Sequence, residues 1–214
     1  MNKIRAVIFD LDGTIADTLP LCIAAFRKAI EPLALRSVSD DEIIATFGPS
    51  EEGTIKALIP MHYDKGIADY LHYYETMHTL CSAPFEGIPE LLTALKANGI
   101  KIAMVTGKGK HSTLISLRQF GFGDLFEIIE TGSPDGPRKA EGIRLILESW
   151  QLKKDTVLYV GDAPSDIVAC HKVGIPVIAA AWATTAEPLK LKSLNPTEIF
   201  YSVQDFSLWL RSAI

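Results

Sequence analysis

Two aspartates separated by one residue stand directly after a short apolar run near the start of the chain. Residues 7–9 (Val-Ile-Phe) are typical of a buried strand, and Asp10 and Asp12 follow before Gly13 turns the backbone. Alternation along an extended chain places both carboxylates on one side, at the strand end where open α/β sheets bind ligands. Because neighbouring carboxylates repel each other, a hard divalent cation such as Mg²⁺, which prefers oxygen ligands, would stabilise them.

Two simpler interpretations of this pattern exist. Asp and Gly both favour turns, so an ordinary turn stays open. The pattern also begins calcium-binding loops, but such loops need a Glu at the twelfth position, and counting from Asp10 that position is Leu21. The calcium loop is therefore excluded, and the apolar strand before the pair and Thr14 after it favour a catalytic role.

The composition is that of an ordinary globular protein with enough length for a core. The 214 residues are 48% hydrophobic and 22% charged, which permits one large domain or one domain with an inserted module. The formal net charge of −5 disfavours nucleic-acid binding through bulk charge, and the basic group of Lys108, Lys110 and His111 is only local.

The cysteines and the apolar runs predict a cytoplasmic protein. Cys22, Cys81 and Cys170 are scattered and lack metal-ligand spacing, which favours a reducing environment. We see no cationic and then apolar leader, and no uncharged apolar run approaches the ~20 residues that cross a bilayer. We therefore expect no membrane partner.

Strands alternate with helices along the last two thirds of the chain. The predicted strands cover 101–106, 126–130, 157–160, 175–180 and 199–200, and the predicted helices cover 89–97, 112–120, 140–150 and 166–173. Such alternation predicts an α/β fold with a doubly wound parallel sheet and helices on both faces.

Residues 19–81 depart from this rhythm. Helix-like patterns cover 21–30 and 68–77, and no convincing strand occurs between them. Ordinary crossover helices are the alternative, but a crossover needs only about a dozen residues. We therefore predict an inserted helical cap over 19–81 and a catalytic core formed by 1–18 and 82–214.

Polar residues follow two further predicted strands. Thr106, before Gly107 and a helix, could hold a phosphate oxygen together with backbone N–H groups, because helix starts favour anions. Asp162 is placed to complete a metal site, and Asp166 lies in the first turn of the next helix, where its charge suits the helix dipole. A role for Asp166 at the helix start alone stays open.

A basic pair precedes another predicted helix, at Arg138 and Lys139. A lysine that reaches into the site would neutralise phosphate and could orient a nucleophile. A solvated surface charge, the usual state of a lysine, is the alternative.

Together these motifs resemble those of the haloacid dehalogenase superfamily of phosphohydrolases, over nearly the whole chain. Residues 9–14 (Phe-Asp-Leu-Asp-Gly-Thr) match the first motif, and residues 106–107 (Thr-Gly) match the second. Residues 161–162 (Gly-Asp) with Asp166 match the fourth, and Lys139 is the best candidate for the third. The helical insertion resembles the C1 cap of this superfamily, on a Rossmann-like core, and the closest likeness is to the phosphoglycolate phosphatase-like group.

The third motif departs from the pattern of the superfamily, which is usually Lys-Pro. Here Lys139 precedes Ala140, and Pro137 occupies the position that a strict register gives to lysine. Arg138 is therefore an alternative phosphate-gripping residue.

The resemblance implies a covalent mechanism that depends on Mg²⁺. Asp10 would attack phosphorus to form an aspartyl-phosphate, and Asp12 would protonate the leaving oxygen and then deprotonate water. Asp10, the backbone carbonyl of Asp12 and Asp162 would hold Mg²⁺, and Asp166 would act through water or Lys139. The four acids thus form the expected metal site.

The remaining site residues would handle the substrate. Thr106 and Lys139 would grip the phosphoryl oxygens, and Gly107 and Lys108 are further candidate contacts. The cap would select the substrate through the turn at 47–52, where Gly48 and Glu51 are candidates, although a solvent loop is an equal alternative. Most of the cap histidines and tyrosines are expected to be packing or surface residues and not ligands.

These patterns predict a Mg²⁺-dependent phosphomonoesterase for a small phosphorylated metabolite, with phosphoglycolate favoured by resemblance only. The second carboxylate, Asp12, separates the chain from the dehalogenating members. A phosphomutase of the same family and a non-catalytic member that binds a phosphorylated ligand are the alternatives. We expect a monomer or a homodimer.

Overall fold

A computed structural model describes residues 3–214 and contains a six-stranded sheet with helices on both faces. The strands are β1 (Ala6–Phe9), β2 (Lys101–Val105), β3 (Ile128–Glu130), β4 (Val157–Gly161), β5 (Val177–Ala180) and β6 (Glu198–Phe200). The α-helices are α1 (Leu19–Ala34), α2 (Asp40–Ile44), α3 (Glu51–Leu58), α4 (Tyr63–Thr76), α5 (Ile88–Ala97), α6 (Lys110–Gln119), α7 (Lys139–Trp150), α8 (Pro164–Val173), α9 (Pro188–Ser193) and α10 (Val203–Ala213).

All neighbouring strands are parallel, in the order β3-β2-β1-β4-β5-β6. The chain builds one half of the sheet outward from β1 and then crosses to build the other half from β4. The strand order therefore reverses between β1 and β4, and ligands of such sheets bind at the carboxyl ends of the strands at this point. The predicted doubly wound α/β fold is confirmed.

Two apolar cores flank the sheet because successive side chains of a strand point to opposite faces. Val7 and Phe9 of β1 pack into one cluster with helices that include α1, α4, α5 and α10. Ala6 and Ile8 pack into the other cluster, against α7 and α8. β1 is thus completely buried, and the polar residues that follow it lie at the edge of a rigid sheet.

The segment 19–81 contains α1 to α4 and two short 3₁₀ turns, and no strand. Its aromatic side chains are packed as expected: Phe26 stacks on Tyr70, and His78 and Tyr74 both contact Ser116 of α6. Phe26, Tyr70 and Tyr74 belong to the same apolar cluster as Phe9. The division into a cap and a core stays a prediction.

The predicted elements lie where the sequence patterns put them, with ends that differ by a few residues. The helices α2, α3, α9 and α10 were not expected, although Phe206 and Leu210 form the buried side of α10. α1 continues past Pro32 to Ala34, because a proline near the end of a helix removes one hydrogen bond without stopping the last turn. None of the helices in residues 3–214 has the length and apolar composition to cross a membrane.

Candidate active site

The adjacent ends of β1 and β4 bring two acids together. Asp10 is 4% exposed, and the Leu11 N–H donates to its Oδ1 at 2.7 Å. Asp162 accepts a hydrogen bond from Thr14 Oγ1 at 3.1 Å. Gly13 permits this approach, because its φ is +73° and a Cβ there would lie 2.1 Å from Asp162 Oδ2.

Three carboxylates surround a single lysine. One oxygen each of Asp10, Asp162 and Asp166 lies within 4.8 Å of the other two. Lys139 Nζ donates to Asp10 Oδ2 at 2.6 Å and to Asp166 Oδ1 at 2.5 Å. One ammonium group therefore contacts two of the three neighbouring acids, so ionised carboxylates would leave an excess of negative charge.

Asp166 is completely buried in the first turn of α8, and every contact of its side chain is internal. The Ala163 N–H donates to its Oδ2 at 2.9 Å. The Tyr159 hydroxyl lies 2.8 Å from its Oδ1 and 2.8 Å from the carbonyl oxygen of Val105. Asp166 thus closes the helix start and also contacts Lys139, so its role extends beyond the helix start.

Burial and charge together shift the ionisation of this cluster. Burial, with a smaller contribution from the charge of Asp166, raises the pKa of Asp10 to about 6 against the opposing effect of Lys139. Burial, with the charges of Asp10 and Asp166, also raises the pKa of Asp162 well above its usual value. Burial opposes the charge on Lys139, but Asp10 and Asp166 outweigh it and raise the pKa of this lysine.

The chemistry of the donor set fits a hard divalent cation. All candidate ligands in the cluster are carboxylate oxygens, which Mg²⁺ prefers, and their negative charge exceeds that of the one lysine among them. Because Gly13 has no Cβ, the Asp162 carboxylate can lie close to the end of β1. Asp10 and Asp162 are therefore the residues that would hold the ion, with Asp166 behind them.

The Asp12 side chain is not part of this cluster, in contrast to its expected place among four metal-binding acids. The backbone leaves the extended conformation after β1, so the Asp12 carboxylate turns towards α1 and accepts a hydrogen bond from Thr18 Oγ1. Its Oδ1 lies 3.2 Å from Lys108 Nζ. A metal contact through the backbone carbonyl of Asp12 stays a prediction.

The second motif lies at the same edge of the sheet. Thr106 follows β2 and is 2% exposed; its N–H donates to the Glu130 carbonyl at 3.0 Å, and its Oγ1 accepts from the Lys108 N–H at 3.2 Å. A Cβ at Gly107 would lie 3.9 Å from Lys139 Cε, so this glycine borders the lysine. Thr106 and Gly107 both line the cavity above the carboxylates.

Lys139, and not Arg138, reaches the carboxylate cluster. The Lys139 side chain is only 11% exposed, which contradicts the alternative of a surface charge. Arg138 points elsewhere: its guanidinium lies 3.4 Å from Glu130 and 3.3 Å from Glu141. The phosphate-gripping role of Lys139 stays a prediction.

Lys108 is a buried cation on another wall of the cavity. Its ammonium lies 3.2 Å from Asp12 Oδ1, 3.1 Å from Cys22 Sγ and 4.6 Å from the centre of the Tyr74 ring. Burial opposes its charge, but Asp12 together with Cys22, Tyr70 and Tyr74 outweighs burial and raises the pKa of Lys108 well above its usual value. Burial raises the pKa of the Cys22 thiol to about 11, so the thiol is neutral at pH 7.

The turn before α3 also lines the cavity, through Gly48 and Glu51. Glu51 is 5% exposed, so the alternative of a solvent loop is wrong for this residue. Its carboxylate binds the start of α6, accepting from the Gly109 N–H at 2.6 Å and from Ser112 Oγ at 2.5 Å. A direct contact of Glu51 with substrate stays a prediction, because both of its oxygens already accept hydrogen bonds.

These side chains enclose a cavity of about 270 Å³. Its polar floor is formed by Asp10, Asp162, Thr106 and Lys139, and its apolar wall by Leu19, Phe26, Phe47, Pro49 and Tyr70. The polar floor can bind a charged group.

Sequence reasoning missed the contribution of Tyr159. Tyr159 and Gly161 are two residues apart in β4 and therefore face the same side of the sheet. A Cβ at Gly161 would lie 2.4 Å from Asp166 Oδ2 and 2.8 Å from Tyr159 Cε1. The alternation of a buried tyrosine and a glycine before Asp162 was the available signal.

The fold and the site define a doubly wound α/β enzyme with an acidic, oxygen-donor site at the strand order reversal. Residues 7–180 match the family of haloacid dehalogenase-like hydrolases. The chain belongs to this family, and the predicted enzyme class, a phosphatase-type hydrolase, is confirmed.

Individual relatives match over most of their length. The chain is 26% identical over 209 residues to pyrophosphatase PpaX of Halalkalibacterium halodurans, covering 95% of both chains. It is 29% identical over 190 residues to phosphoglycolate phosphatase of Thiobacillus denitrificans, covering 84% of both. A predicted phosphoglycolate phosphatase from Haemophilus somnus has a similar structure, with a TM-score of 0.78, 22% identity, and coverage of 96% of this chain and 97% of that one.

Proposed function

We propose that the protein is a Mg²⁺-dependent phosphomonoesterase that hydrolyses a small phosphorylated metabolite through an aspartyl-phosphate on Asp10. The observation that carries the proposal is the buried Asp10 carboxylate, fixed by Lys139 and the Leu11 N–H beside Asp162. The named relatives act on phosphate compounds according to their names, phosphoglycolate in one case and pyrophosphate in the other.

In the first step, a carboxylate oxygen of Asp10 attacks phosphorus, and the bond between phosphorus and the leaving oxygen breaks. The proton that the leaving oxygen needs comes from Asp12, whose side chain lies outside the carboxylate cluster. Because the Asp12 side chain contacts Thr18 and Lys108 and not Lys139, it is separate from the cluster of Asp10, Asp162 and Asp166.

In the second step, Asp12 accepts a proton from water, and the water oxygen attacks the phosphorus of the aspartyl-phosphate. The bond between phosphorus and the Asp10 oxygen breaks, which regenerates the carboxylate and releases inorganic phosphate. Asp12 ends protonated, as it began, so the cycle needs no further reactant.

The remaining residues position and neutralise the phosphoryl group, which is most of what phosphoryl transfer needs. Lys139 contributes a positive charge beside Asp10, and Thr106 contributes a hydroxyl at the end of β2. Mg²⁺, held by Asp10, Asp162 and the backbone carbonyl of Asp12, would neutralise charge on the phosphoryl oxygens. Asp166 and Tyr159 keep Lys139 directed at Asp10.

The experiment is the hydrolysis of p-nitrophenyl phosphate and a panel of phosphorylated metabolites with Mg²⁺, by the wild type and by Asp10→Asn. We expect release of inorganic phosphate by the wild type, and loss of at least 10³-fold in kcat for the variant, which lacks the nucleophile. Asp124→Asn, at an exposed position, is the matched control and retains activity. Full activity of Asp10→Asn would refute the role of this residue.

A further inference from the structure

We propose that Trp182 is a positioning residue of the metal site, because its indole holds the turn after β1 in the conformation in which Thr14 fixes the Asp162 carboxylate. Trp182 is not among the residues that line the cavity above the carboxylates, so it acts through Thr14 and not on the substrate. This inference rests on the proposed Mg²⁺-dependent phosphatase function and adds a residue to its machinery.

Thr14 connects the ends of two other strands. It is completely buried in the turn after β1, and its Oγ1 donates to Asp162 Oδ1, just beyond β4, at 3.1 Å. Its carbonyl oxygen accepts from Trp182 Nε1, two residues beyond the end of β5, at 3.1 Å. Because the peptide group is planar, a fixed carbonyl restricts the backbone rotation of Thr14 and therefore the direction of its hydroxyl.

The turn by itself holds Thr14 weakly. The N–H groups of Thr14, Ile15 and Ala16 all point at the carbonyl oxygen of Leu11, at 3.3, 2.9 and 3.3 Å. One carbonyl oxygen has two lone pairs, and two of these three distances exceed the usual range of an N–H···O bond. A contact from outside the turn is therefore needed to select one conformation, and Trp182 supplies it.

The ring of Trp182 is itself fixed by an aromatic cluster on α10. It stacks on Phe206, with ring centroids 5.9 Å apart and an interplanar angle of 28°. Phe206 is completely buried and also contacts the rings of Phe200 and Trp209, at 5.7 and 6.4 Å between centroids. Such ring pairs stabilise one arrangement of the cluster, so the indole N–H is presented to the turn from a rigid support.

Burial alone does not account for this hydrogen bond. Trp182 is only half-buried and lines a groove of about 1290 Å³ between α5 and α10, so solvent could satisfy an indole N–H there. The N–H donates instead to the residue that holds Asp162. A packing role predicts a loss of stability when the N–H is removed, whereas a positioning role also predicts a loss of Mg²⁺ affinity.

The experiment compares the wild type with Trp182→Phe, which keeps a stacking ring and removes the N–H. The Kd of Mg²⁺ is measured by isothermal titration calorimetry without substrate, and the Mg²⁺ concentration for half-maximal rate is measured with p-nitrophenyl phosphate. We expect both to rise about 3–10-fold, the range of one hydrogen bond. We expect kcat at saturating Mg²⁺ to stay within about twofold of the wild type, because Asp10 and Lys139 are unchanged.

Two further variants separate positioning from packing. Trp209→Phe changes an indole of the same cluster that contacts Phe200 and Phe206, and it retains the wild-type Kd of Mg²⁺. Thr14→Val removes the hydroxyl that holds Asp162, and adding Trp182→Phe to it should change the Kd less than twofold, because the two residues act in series. Full additivity of the two changes overturns the inference.

A second measurement uses the wild type and decides even if Trp182→Phe fails to fold. The indole ¹⁵N–¹H signals are recorded by NMR during a Mg²⁺ titration, and the spectra of Trp150→Phe and Trp209→Phe assign them. We expect the Trp182 signal to shift and that of Trp150, at the far end of α7 from Lys139, to stay.

An unmoved Trp182 signal at saturating Mg²⁺ overturns the inference, and so does a wild-type Kd in folded Trp182→Phe. In either case, hydrolysis by the wild type with Mg²⁺ leaves the proposed function intact. If the wild type neither binds Mg²⁺ nor hydrolyses any phosphate compound, the proposed function itself fails and the inference falls with it.

Discussion

The metal-free protein is expected to gain stability at neutral pH when Asp10 is replaced by Asn. Asp10 is buried, and the single ammonium of Lys139 is shared with Asp166. The pKa of Asp10 is raised from 3.8 to about 6, chiefly by burial. Because this folded-state pKa lies above the unfolded value, ionisation of Asp10 destabilises the fold as the pH rises from below 3.8 through 6.

The shift of about two pKa units corresponds to a loss of about 3 kcal/mol of stability above pH 7. Asn is neutral at all of these pH values and avoids this loss. Its one carbonyl oxygen, however, cannot accept from both Leu11 N–H and Lys139, which costs about 1 kcal/mol. The net gain is about 2 kcal/mol near pH 8, or roughly 4–8 °C in Tm for a protein of this size.

The assay is thermal unfolding followed by circular dichroism in EDTA, from pH 4 to pH 8. Asp10→Asn should be more stable than the wild type at pH 8 and slightly less stable at pH 4, where Asp10 is protonated in the folded protein and only partly ionised in the unfolded chain. Added Mg²⁺ should raise the Tm of the wild type more than that of the variant. A difference between the two proteins that keeps the same sign and size at every pH would refute the reasoning.

Three further changes test the framework of the site. Gly13→Ala introduces, at a positive φ, a Cβ that overlaps Asp162 Oδ2. We expect phosphatase activity to fall at least about 100-fold, and the free energy of unfolding in denaturant to fall by about 1–3 kcal/mol. Near-normal activity would contradict the predicted role of this contact. Tyr159→Phe removes the hydroxyl beside Asp166 and keeps the ring. We therefore expect kcat to fall by roughly tenfold with little change in KM. An effect on KM alone would exclude a role of Tyr159 in directing Lys139. Glu51→Gln loses charged hydrogen bonds at the start of α6, so unfolding in urea should show a loss of about 1–3 kcal/mol. The control is Glu52→Gln, at the half-buried neighbour that accepts from Ser50 Oγ and not from α6, and equal midpoints for the two variants would contradict the prediction.

Much of the fold followed from local patterns. The apolar run before Asp10 and the strand before Asp162 each predict a buried strand, because a run of consecutive apolar residues suits burial on both faces of a parallel sheet. α10 was missed because nothing in the preceding rhythm of strands and helices required another element after β6. Helix ends shifted by a few residues, as with α8, which begins at Pro164 and not at Asp166.

The direction of individual side chains did not follow from these patterns. Spacing placed Asp12 beside Asp10, but the Gly13 turn directs its carboxylate towards Lys108. Glu51 was expected to face a substrate, and it binds the start of α6, a helix about sixty residues further along the chain. Such contacts join residues that are distant in sequence, so no local pattern contains them.

The sequence by itself determined the order of strands and helices and the acids that end the strands, because apolar periodicity and turn residues act over a few neighbouring positions. Only the tertiary structure decided which of them meet. It selected Lys139 over Arg138 for the carboxylate cluster, and it placed Tyr159 behind Asp166. The physical reason is that the sheet order brings β1, β2 and β4 together at one edge, and burial there forces each charged side chain to find a partner.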